Sequence, residues 1–318
     1  HGGGGHDIME GGDAAVEVAR LHVQHGTTAL LATTMTAPLA ELETAMRAMG
    51  KACKQRPQNA ASILGGHLEG PYISPCRLGA QPNFARPAVL EEIHALSSLA
   101  PIRLITLAPE VPGHMALIAL LRTEGYQVQI GHTSGTYEEG VQALDAGAGG
   151  FTHLFNAMSG MHHREPGMVG AALGHARYSE IIPDLLHAHP GAIRVALRAI
   201  PCLYCVTDST AAAGMPDGEY KLGSHKVTKC MGGVRLPDGT LAGSTLTMDQ
   251  ALRNLVGLGL DLDDASRRVS TYAADYLGLQ ERGRLSSGAF ADIVVLDRKL
   301  QLQRVIALGE EIELAHVG

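Results

Sequence analysis

Short apolar segments alternate with longer stretches of polar residues and alanine along most of the chain. The apolar segments have the length and composition of buried β-strands, and the stretches between them are long enough for helices. The pattern predicts strands at 27–32, 63–69, 103–107, 127–132, 150–153, 181–187 and 203–208. The same pattern predicts helices at 39–54, 115–124, 137–146 and 190–199.

Strand–helix alternation of this kind predicts a parallel sheet, either open or closed into a (β/α)₈ barrel. An open dinucleotide-binding sheet carries a glycine fingerprint after its first strand, followed by an acidic ribose ligand. Glycines 2–5 have no such acidic partner, so the barrel is favoured. Chemically useful side chains recur where the predicted strands end, which is the face on which barrel enzymes carry their active sites. They are Glu69, His132, His153, His187 and Asp208.

The pattern changes after Asp208. Residues 214–245 are rich in Gly, Asp and Pro and predict a β-hairpin insertion, with Pro237-Asp238-Gly239 as a strong turn signal. Helices follow at 248–258 and 263–277, the second capped by Asp263 or Asp264, and strands at 291–296, 302–307 and 311–314.

The predicted domain division is a (β/α)₈ barrel over 1–282 and the C-terminal part of a small β domain over 283–318. A segment of this size cannot form its own core and must pack on other residues. Because the chain starts at His1 rather than Met, we expect the N-terminal part of this architecture to be missing.

Composition and charge narrow the class of protein. The chain has 318 residues, 45% of them hydrophobic and 18% charged, which is typical of a globular protein. A net charge of −7 argues against a nucleic-acid partner, and no apolar run approaches the roughly 18 residues of a membrane span. Five cysteines in a chain of this length favour a reduced, cytoplasmic protein.

Three strand-end residues have the chemistry of metal ligands. Taken singly, Glu69 could be a solvated surface residue, and His132 and His153 could be structural hydrogen bonders. Together they offer one oxygen and two nitrogens, and catalytic zinc sites use three protein ligands with an open fourth position. Since neighbouring barrel strands end side by side, the sequence predicts a metal site.

Other polar residues each have two interpretations. Asp208 is either a turn residue or a general base acting on water. His187 either polarises a substrate carbonyl or fills the barrel mouth. Arg164 either binds a phosphate or carboxylate, which its planar fork matches, or pairs with Glu165 at the surface.

Several motifs together resemble one family. They are HGGGGHD at 1–7, HLEGPYISP at 67–75, GAQ at 79–81, GHTSGTY at 131–137, THLFNAM at 152–158, REPG at 164–167, VTDST at 206–210, LAGSTLTM at 241–248 and ADIVVLD at 291–297. In order and spacing they resemble the N-acetylglucosamine-6-phosphate deacetylases of the amidohydrolase superfamily. The resemblance implies a (β/α)₈ barrel with a small β-sandwich domain.

The resemblance also implies roles for single residues. Glu69, His132 and His153 would be metal ligands, Asp208 the catalytic acid/base, and His187 the contact to the acetamido carbonyl. Further substrate contacts would be Ala80, Gln81, Asn156, Ala157, Arg164, Ala242, Gly243 and Ser244. His1 resembles the second member of a histidine pair and is a further candidate ligand.

The implied cofactor is a divalent metal, zinc above others, as one or two ions. The implied products are acetate and glucosamine 6-phosphate. Arg164 resembles the family's phosphate-binding arginine, which can be linked to a dimer interface, so the resemblance also implies a homodimer. The chain departs from the family at Leu185, where glycine is common, so the position of His187 is less secure than that of His132.

Three alternatives remain open at this point. The sugar could be the galactosamine isomer, since the sequence does not determine which hydroxyl stereochemistry is recognised. The barrel could be a non-catalytic scaffold. It could also be a retaining glycosidase that uses Glu69 and Asp208 as paired carboxylates about 5 Å apart, without a metal.

Overall fold

Parallel strands and helices alternate through the first two thirds of the computed structural model, which describes residues 1–315. Residues 316–318 of the predicted small domain therefore lie outside the described residues. In chain order the first elements are β1 (Gly2–Gly3), β2 (His6–Asp7), α1 (Ala14–Val23), β3 (Ala29–Thr33), α2 (Leu39–Lys54), β4 (Ser62–Glu69), α3 (Leu90–Leu99), β5 (Ile102–Leu107), α4 (His114–Thr123), β6 (Gln127–Ile130), α5 (Tyr137–Asp145), β7 (Gly150–Phe151), α6 (Gly167–His175), β8 (Tyr178–Ile181), α7 (Pro190–Ala199) and β9 (Cys202–Cys205).

The last third of the chain is mixed. Its elements are β10 (Gly218–Leu222), β11 (His225–Cys230), β12 (Gly233–Arg235), α8 (Met248–Gly257), α9 (Leu262–Ser266), a π-helical segment (Arg267–Thr271), α10 (Tyr272–Tyr276), β13 (Ile293–Leu296), β14 (Leu302–Ala307) and β15 (Glu310–Glu311). Strands β10 to β12 form an antiparallel sheet, and β13 to β15 form another.

Strands β3 to β7 form one parallel sheet in sequential order, and β8 pairs in parallel with β9. Leu154 N donates to Glu180 O across the junction of β7 and β8, at 2.9 Å. The sheet curls with helices on its outer side, so the predicted α/β barrel architecture is confirmed. All carboxyl ends of these strands therefore meet at one mouth.

The outer helices are held by apolar faces that follow helical spacing. In α2, Leu42, Met46 and Met49 are fully buried, and a Cβ on Gly66 of β4 would meet Met49 Sδ at 3.0 Å. This close approach explains why glycine stands at position 66. Among the residues described, none of the helices is long and apolar enough to cross a membrane.

Several predicted elements differ from the structure. The strand predicted at 311–314 is the two-residue strand β15, which ends at Glu311. The strand prediction at 181–187 is wrong beyond Ile181, because Pro183 has no backbone N–H and the chain turns into a loop. Residues 214–245 contain a three-stranded sheet rather than a single hairpin. The helix predicted at 263–277 is broken by the π-helical segment, and Asp261 caps it by accepting from Asp264 N at 2.8 Å.

Candidate active site

Glu69, His132 and His153 come together at the mouth of the barrel. Glu69 is the last residue of β4, and the two histidines follow β6 and β7 by two residues. All three are buried. His132 and His153 have φ angles of 47° and 30°, a left-handed conformation uncommon for residues other than glycine. These tight turns at the strand ends direct the two rings toward one carboxylate.

The distances within this cluster are those of a metal site. Glu69 Oε1 lies 2.9 Å from His132 Nε2 and 3.2 Å from His153 Nε2, and the two ring nitrogens are 3.0 Å apart. His132 Nδ1 lies 2.8 Å from Arg77 O, which can only accept, so Nδ1 carries the proton and Nε2 has a lone pair. The Nε2 lone pair of His132, the carboxylate of Glu69 and Nε2 of His153 converge on one point, and the residues therefore fit a divalent metal.

A second cluster shares Glu69. His1 Nε2 lies 3.3 Å from Glu69 Oε2 and 3.2 Å from Asp208 Oδ1. Asp208 follows β9 and has a φ of 48°, while its backbone oxygen accepts from Ser244 N. The two oxygens of Glu69 thus face different clusters, and both clusters have the residue types and spacing to hold a metal ion.

Burial and neighbouring charges shift the pKa values of Glu69 and His153 in opposite directions. Burial alone would raise the pKa of Glu69, but the charge of His1 and its hydrogen bond to the carboxylate hold that pKa well below its usual range. Burial lowers the pKa of His153, yet its hydrogen bond to Glu69 and the negative charge of Glu69 raise this pKa to about 9. The carboxylate is therefore ionised, as a metal ligand must be.

Gln81 has a structural role that the sequence did not reveal. Its side-chain Oε1 accepts from Thr36 N at 2.7 Å, and its Nε2 donates to Glu69 Oε1 at 3.3 Å. Gln81 is buried, so both contacts are shielded from water. The amide therefore fixes the orientation of the Glu69 carboxylate as well as bordering the site.

A cavity of about 220 Å³ opens beside both clusters. Many of the predicted site residues line it: His1, Glu69, Ala80, Gln81, His132, His153, Asn156, Ala157, His187, Asp208 and Gly243. Five further lining residues were not predicted: Met35, Gly79, Leu222, Thr240 and Leu241. Gly79 and Leu241 begin two of the quoted motifs, whereas no local sequence signal marks the other three. Three of these five come from the 214–245 region, which forms one wall.

Three predicted substrate contacts lie elsewhere. Arg164 is exposed, is not among the residues lining this cavity, and places its Nη1 3.0 Å from His163 Nε2. Ala242 and Ser244 are buried behind Gly243, where Ser244 Oγ donates to Thr207 O. Within this chain, Arg164 is thus separate from the cavity that holds the other residues.

His187 reaches the cavity from the loop after β8. Its Nδ1 lies 2.6 Å from Asp184 Oδ2, and Asp184 Oδ1 accepts from the backbone N–H groups of Leu186 and His187 at 2.9 and 2.8 Å. Leu185 between them has a φ of 67°. The sequence pointed to His187 but gave no signal for Asp184.

Polar side chains also fill the barrel beneath the clusters. His67 contacts Thr106 at 2.7 Å, Thr106 contacts Thr152, Thr152 donates to Gln129, and Gln129 donates to Tyr204. Tyr204 then donates to Glu180 at 3.1 Å. Burial raises the pKa of Glu180 to about 7. Because each of these buried groups has a partner, the network makes a rigid floor for the site.

A curled parallel sheet with a carboxylate–imidazole cluster at its carboxyl ends defines the class of metal-dependent barrel hydrolases. A sequence profile described as the amidohydrolase family matches residues 12–315. The chain therefore belongs to the amidohydrolase family, which implies a divalent metal.

Individual relatives are similar over nearly the whole chain. An N-acetylgalactosamine-6-phosphate deacetylase of Escherichia coli O157:H7 is 38% identical over 98% of this chain and 84% of its own length. An N-acetylglucosamine-6-phosphate deacetylase of Lysinibacillus sphaericus is 39% identical over 97% of this chain and 82% of its own.

A solved structure of a related deacetylase also matches this chain. It is a single-residue variant of the Mycobacterium smegmatis N-acetyl-D-glucosamine-6-phosphate deacetylase, in complex with N-acetyl-D-glucosamine 6-phosphate. It superimposes with a TM-score of 0.92 and is 36% identical, covering 98% of this chain and 84% of that chain. This level of identity supports the family assignment as well as the fold.

Proposed function

We propose that this protein hydrolyses the acetamide of N-acetyl-D-glucosamine 6-phosphate to glucosamine 6-phosphate and acetate. The observation that carries the proposal is the buried cluster of Glu69, His132 and His153, which shares one cavity with Asp208 and His187. The names of the relatives support the choice of substrate.

The cofactor we propose is zinc, held by Glu69 Oε1, His132 Nε2 and His153 Nε2. One oxygen with two imidazole nitrogens is a ligand set that zinc favours. The second cluster of His1, Glu69 and Asp208 would hold a second ion. When bound, such a cation supplies Lewis acidity, which makes water more acidic and an amide carbonyl more electrophilic.

The protein's own side chains supply the proton transfers. Asp208, with its side chain 16% exposed at the cavity, accepts a proton from the attacking water and passes it to the leaving nitrogen. The bond between carbonyl carbon and nitrogen breaks as the bond to the water oxygen forms. His187, which lines the same cavity, would contact the carbonyl oxygen.

The sugar would be bound by the residues that form the remaining wall of the cavity. Ala80, Gln81, Asn156, Ala157 and Gly243 border it and are the proposed substrate contacts. Gln81 also fixes Glu69, so its substitution would affect both functions. Ala242 and Ser244, which lie behind this wall, would act by holding the loop in place.

Arg164 would reach the phosphate of a second subunit's substrate, which makes a homodimer the functional form. Its exposed position, apart from this chain's own cavity, supports that arrangement. The five cysteines are unpaired among residues 1–315, in keeping with a cytoplasmic enzyme. The division at residue 282 into a hydrolase barrel and a small β domain stays a prediction.

N-acetylgalactosamine 6-phosphate is the second candidate substrate, because the relative with 38% identity carries that name. The two sugars differ only in the orientation of one hydroxyl group, so discrimination depends on the cavity wall rather than on the metal cluster.

The test compares kcat/KM of the zinc-loaded protein for both sugars, each with and without the 6-phosphate. We expect N-acetylglucosamine 6-phosphate to give the highest value, by about tenfold or more over the isomer. A higher value for the galactosamine isomer would reverse the assignment. If none of the four sugars is hydrolysed, the barrel is a non-catalytic scaffold. If the protein cleaves a glycosidic bond in the presence of a chelator, it is a glycosidase instead.

A further inference from the structure

Glu110 contacts the turn that follows β6. The residue lies just beyond β5, in a tight turn in which Val111 N donates to Ala108 O at 3.2 Å. Its Oε2 accepts from Thr133 Oγ1 at 2.5 Å, and its Oε1 accepts from Ser134 N at 2.7 Å and from Ser134 Oγ at 3.1 Å. One carboxylate therefore joins the loops that follow two neighbouring strands.

The turn that Glu110 contacts begins with His132, one of the three proposed metal ligands. His132 directly precedes Thr133 and has a φ of 47°, a conformation that persists in residues other than glycine only where surrounding contacts impose it. Thr133 is fully buried, and its Oγ1 also accepts from Gly135 N at 3.1 Å. The contacts from Glu110 thus fix the backbone immediately after His132.

Further contacts restrain His132 from the loop after β4. Ser74 N donates to His132 O at 2.9 Å, and Arg77 O accepts from His132 Nδ1 at 2.8 Å. Ser74 Oγ also lies 3.3 Å from Ser134 Oγ. Because these contacts remain when the side chain of Glu110 is removed, we expect the turn to loosen rather than to unfold.

We propose that Glu110 is a positioning residue for metal binding, which holds the turn after β6 so that His132 Nε2 stays directed at Glu69 and His153. This inference rests on the proposed zinc site. A ligand that is already held in place loses less conformational freedom when the ion binds, so fixing His132 raises the affinity for the ion. His153 lies in a different turn, where its own N donates to Glu180 Oε2 at 3.4 Å.

Substitutions at position 110 separate the hydrogen bonds from the charge of the side chain. In Glu110→Gln the amide oxygen can still accept from Ser134 N and Ser134 Oγ, and Thr133 Oγ1 can accept from the amide nitrogen. Glu110→Ala removes all three contacts. We therefore expect the glutamine variant to behave like the unaltered protein and the alanine variant to differ from it.

The matched control is Glu139→Ala. Glu139 Oε2 accepts from Thr136 N at 2.7 Å in the capping box that begins α5, so this glutamate also holds backbone of the segment after β6. Its contact lies beyond Gly135 and does not include Thr133 or Ser134. We expect Glu139→Ala to lower the midpoint of urea unfolding without changing the affinity for zinc.

The affinity for zinc, measured at pH 7 by competition with a chromophoric chelator, provides the first readout. We expect Glu110→Ala to bind zinc about tenfold more weakly, or worse, and Glu110→Gln to stay within about threefold of the unaltered protein. Unchanged affinity in Glu110→Ala, or an equal loss in Glu139→Ala, overturns the proposal.

Glu110→Asp decides the question if Glu110→Ala does not fold. The aspartate keeps the charge, but it is one methylene shorter and cannot reach Thr133 and Ser134 together. We expect it to bind zinc at least about threefold more weakly than the unaltered protein. Unchanged affinity in Glu110→Asp would then overturn the proposal.

The position of the His132 ring provides the second readout, which needs no metal. In zinc-free crystals of Glu110→Ala we expect this ring to be displaced or to take more than one orientation, while the ring of His153 stays in place. An unchanged His132 ring in that variant contradicts the proposal. If the unaltered protein binds no zinc, the proposed metal site fails, whereas these crystals still decide whether Glu110 holds His132.

Discussion

At the scale of single residues, the position of Asp208 supports the proton-transfer role that we propose for it. Its Oδ1 faces His1 Nε2 at 3.2 Å, and the side chain keeps partial exposure to the cavity. The left-handed φ of 48° turns the carboxylate inward from the end of β9. This geometry favours a role in proton transfer over that of a turn residue alone.

Asp208→Asn should lower kcat by about 10³-fold, because the amide cannot accept a proton, while zinc bound at Glu69, His132 and His153 is retained. The measurements are turnover and metal content of the same samples. Asp238→Asn, in an exposed turn, serves as the control. Near-normal kcat in Asp208→Asn would remove the proton-transfer role.

The sequence was sufficient to find candidate ligands but not the groups that orient them. Glu69, His132 and His153 follow apolar runs, so their convergence could be predicted from strand ends alone. Gln81 and Asp184 act through contacts to Glu69 and His187 that depend on loop conformation. No periodicity in the sequence encodes such contacts.

At the scale of elements, the boundaries predicted from periodicity are accurate where one face of a helix or strand is buried. The helices at 39–54 and 190–199 and the strand at 302–307 match α2, α7 and β14 to the residue. The loop after β8 was predicted as strand because Leu185 and Leu186 continue its apolar run. Pro183 and the side chain of Asp184 instead impose a turn.

The same loop carries measurable backbone strain. Leu185 has a φ of 67° and is 38% exposed, and a leucine in this region costs about 1 kcal/mol relative to glycine. Leu185→Gly should therefore raise the free energy of unfolding by about 0.5 kcal/mol, after the greater entropy of glycine in the unfolded chain is subtracted.

Leu308→Gly is the matched variant, because Leu308 has a φ of 51° and the same exposure of 38%. Urea unfolding of both variants should give similar small gains in stability. A loss of more than about 1 kcal/mol at Leu185 alone would show that its side chain stabilises the loop by packing.

At the scale of the whole molecule, His22 in α1 contacts both the first residues of the chain and the loop after β9. Its Nε2 lies 3.2 Å from Gly2 O and 3.0 Å from Ser209 Oγ. Burial lowers the pKa of His22 to about 4. The native protein therefore keeps this ring neutral at a pH where the unfolded chain would protonate it.

The sign of the pH effect follows from this difference. Above pH 6.5 both states are neutral, and stability is unaffected. Between pH 6.5 and 4 the unfolded state binds the extra proton, so stability falls by about 1.4 kcal/mol per pH unit.

From pH 7.5 to 5.0 the unaltered protein should lose about 2 kcal/mol more than His22→Gln, as measured by urea unfolding. His6→Gln, which alters an exposed histidine, should behave like the unaltered protein. Equal losses in the protein and in His22→Gln would contradict the neutral buried ring.

The account depends above all on a divalent cation bound by Glu69, His132 and His153. Anomalous scattering at the zinc edge, from crystals of the zinc-loaded protein and of Glu69→Gln, tests it most directly, with Glu43→Gln on the exposed face of α2 as the control. We predict a peak between the three side chains in the protein and the control, and none there in Glu69→Gln. A zinc-loaded protein with no peak at that position would contradict the central claim.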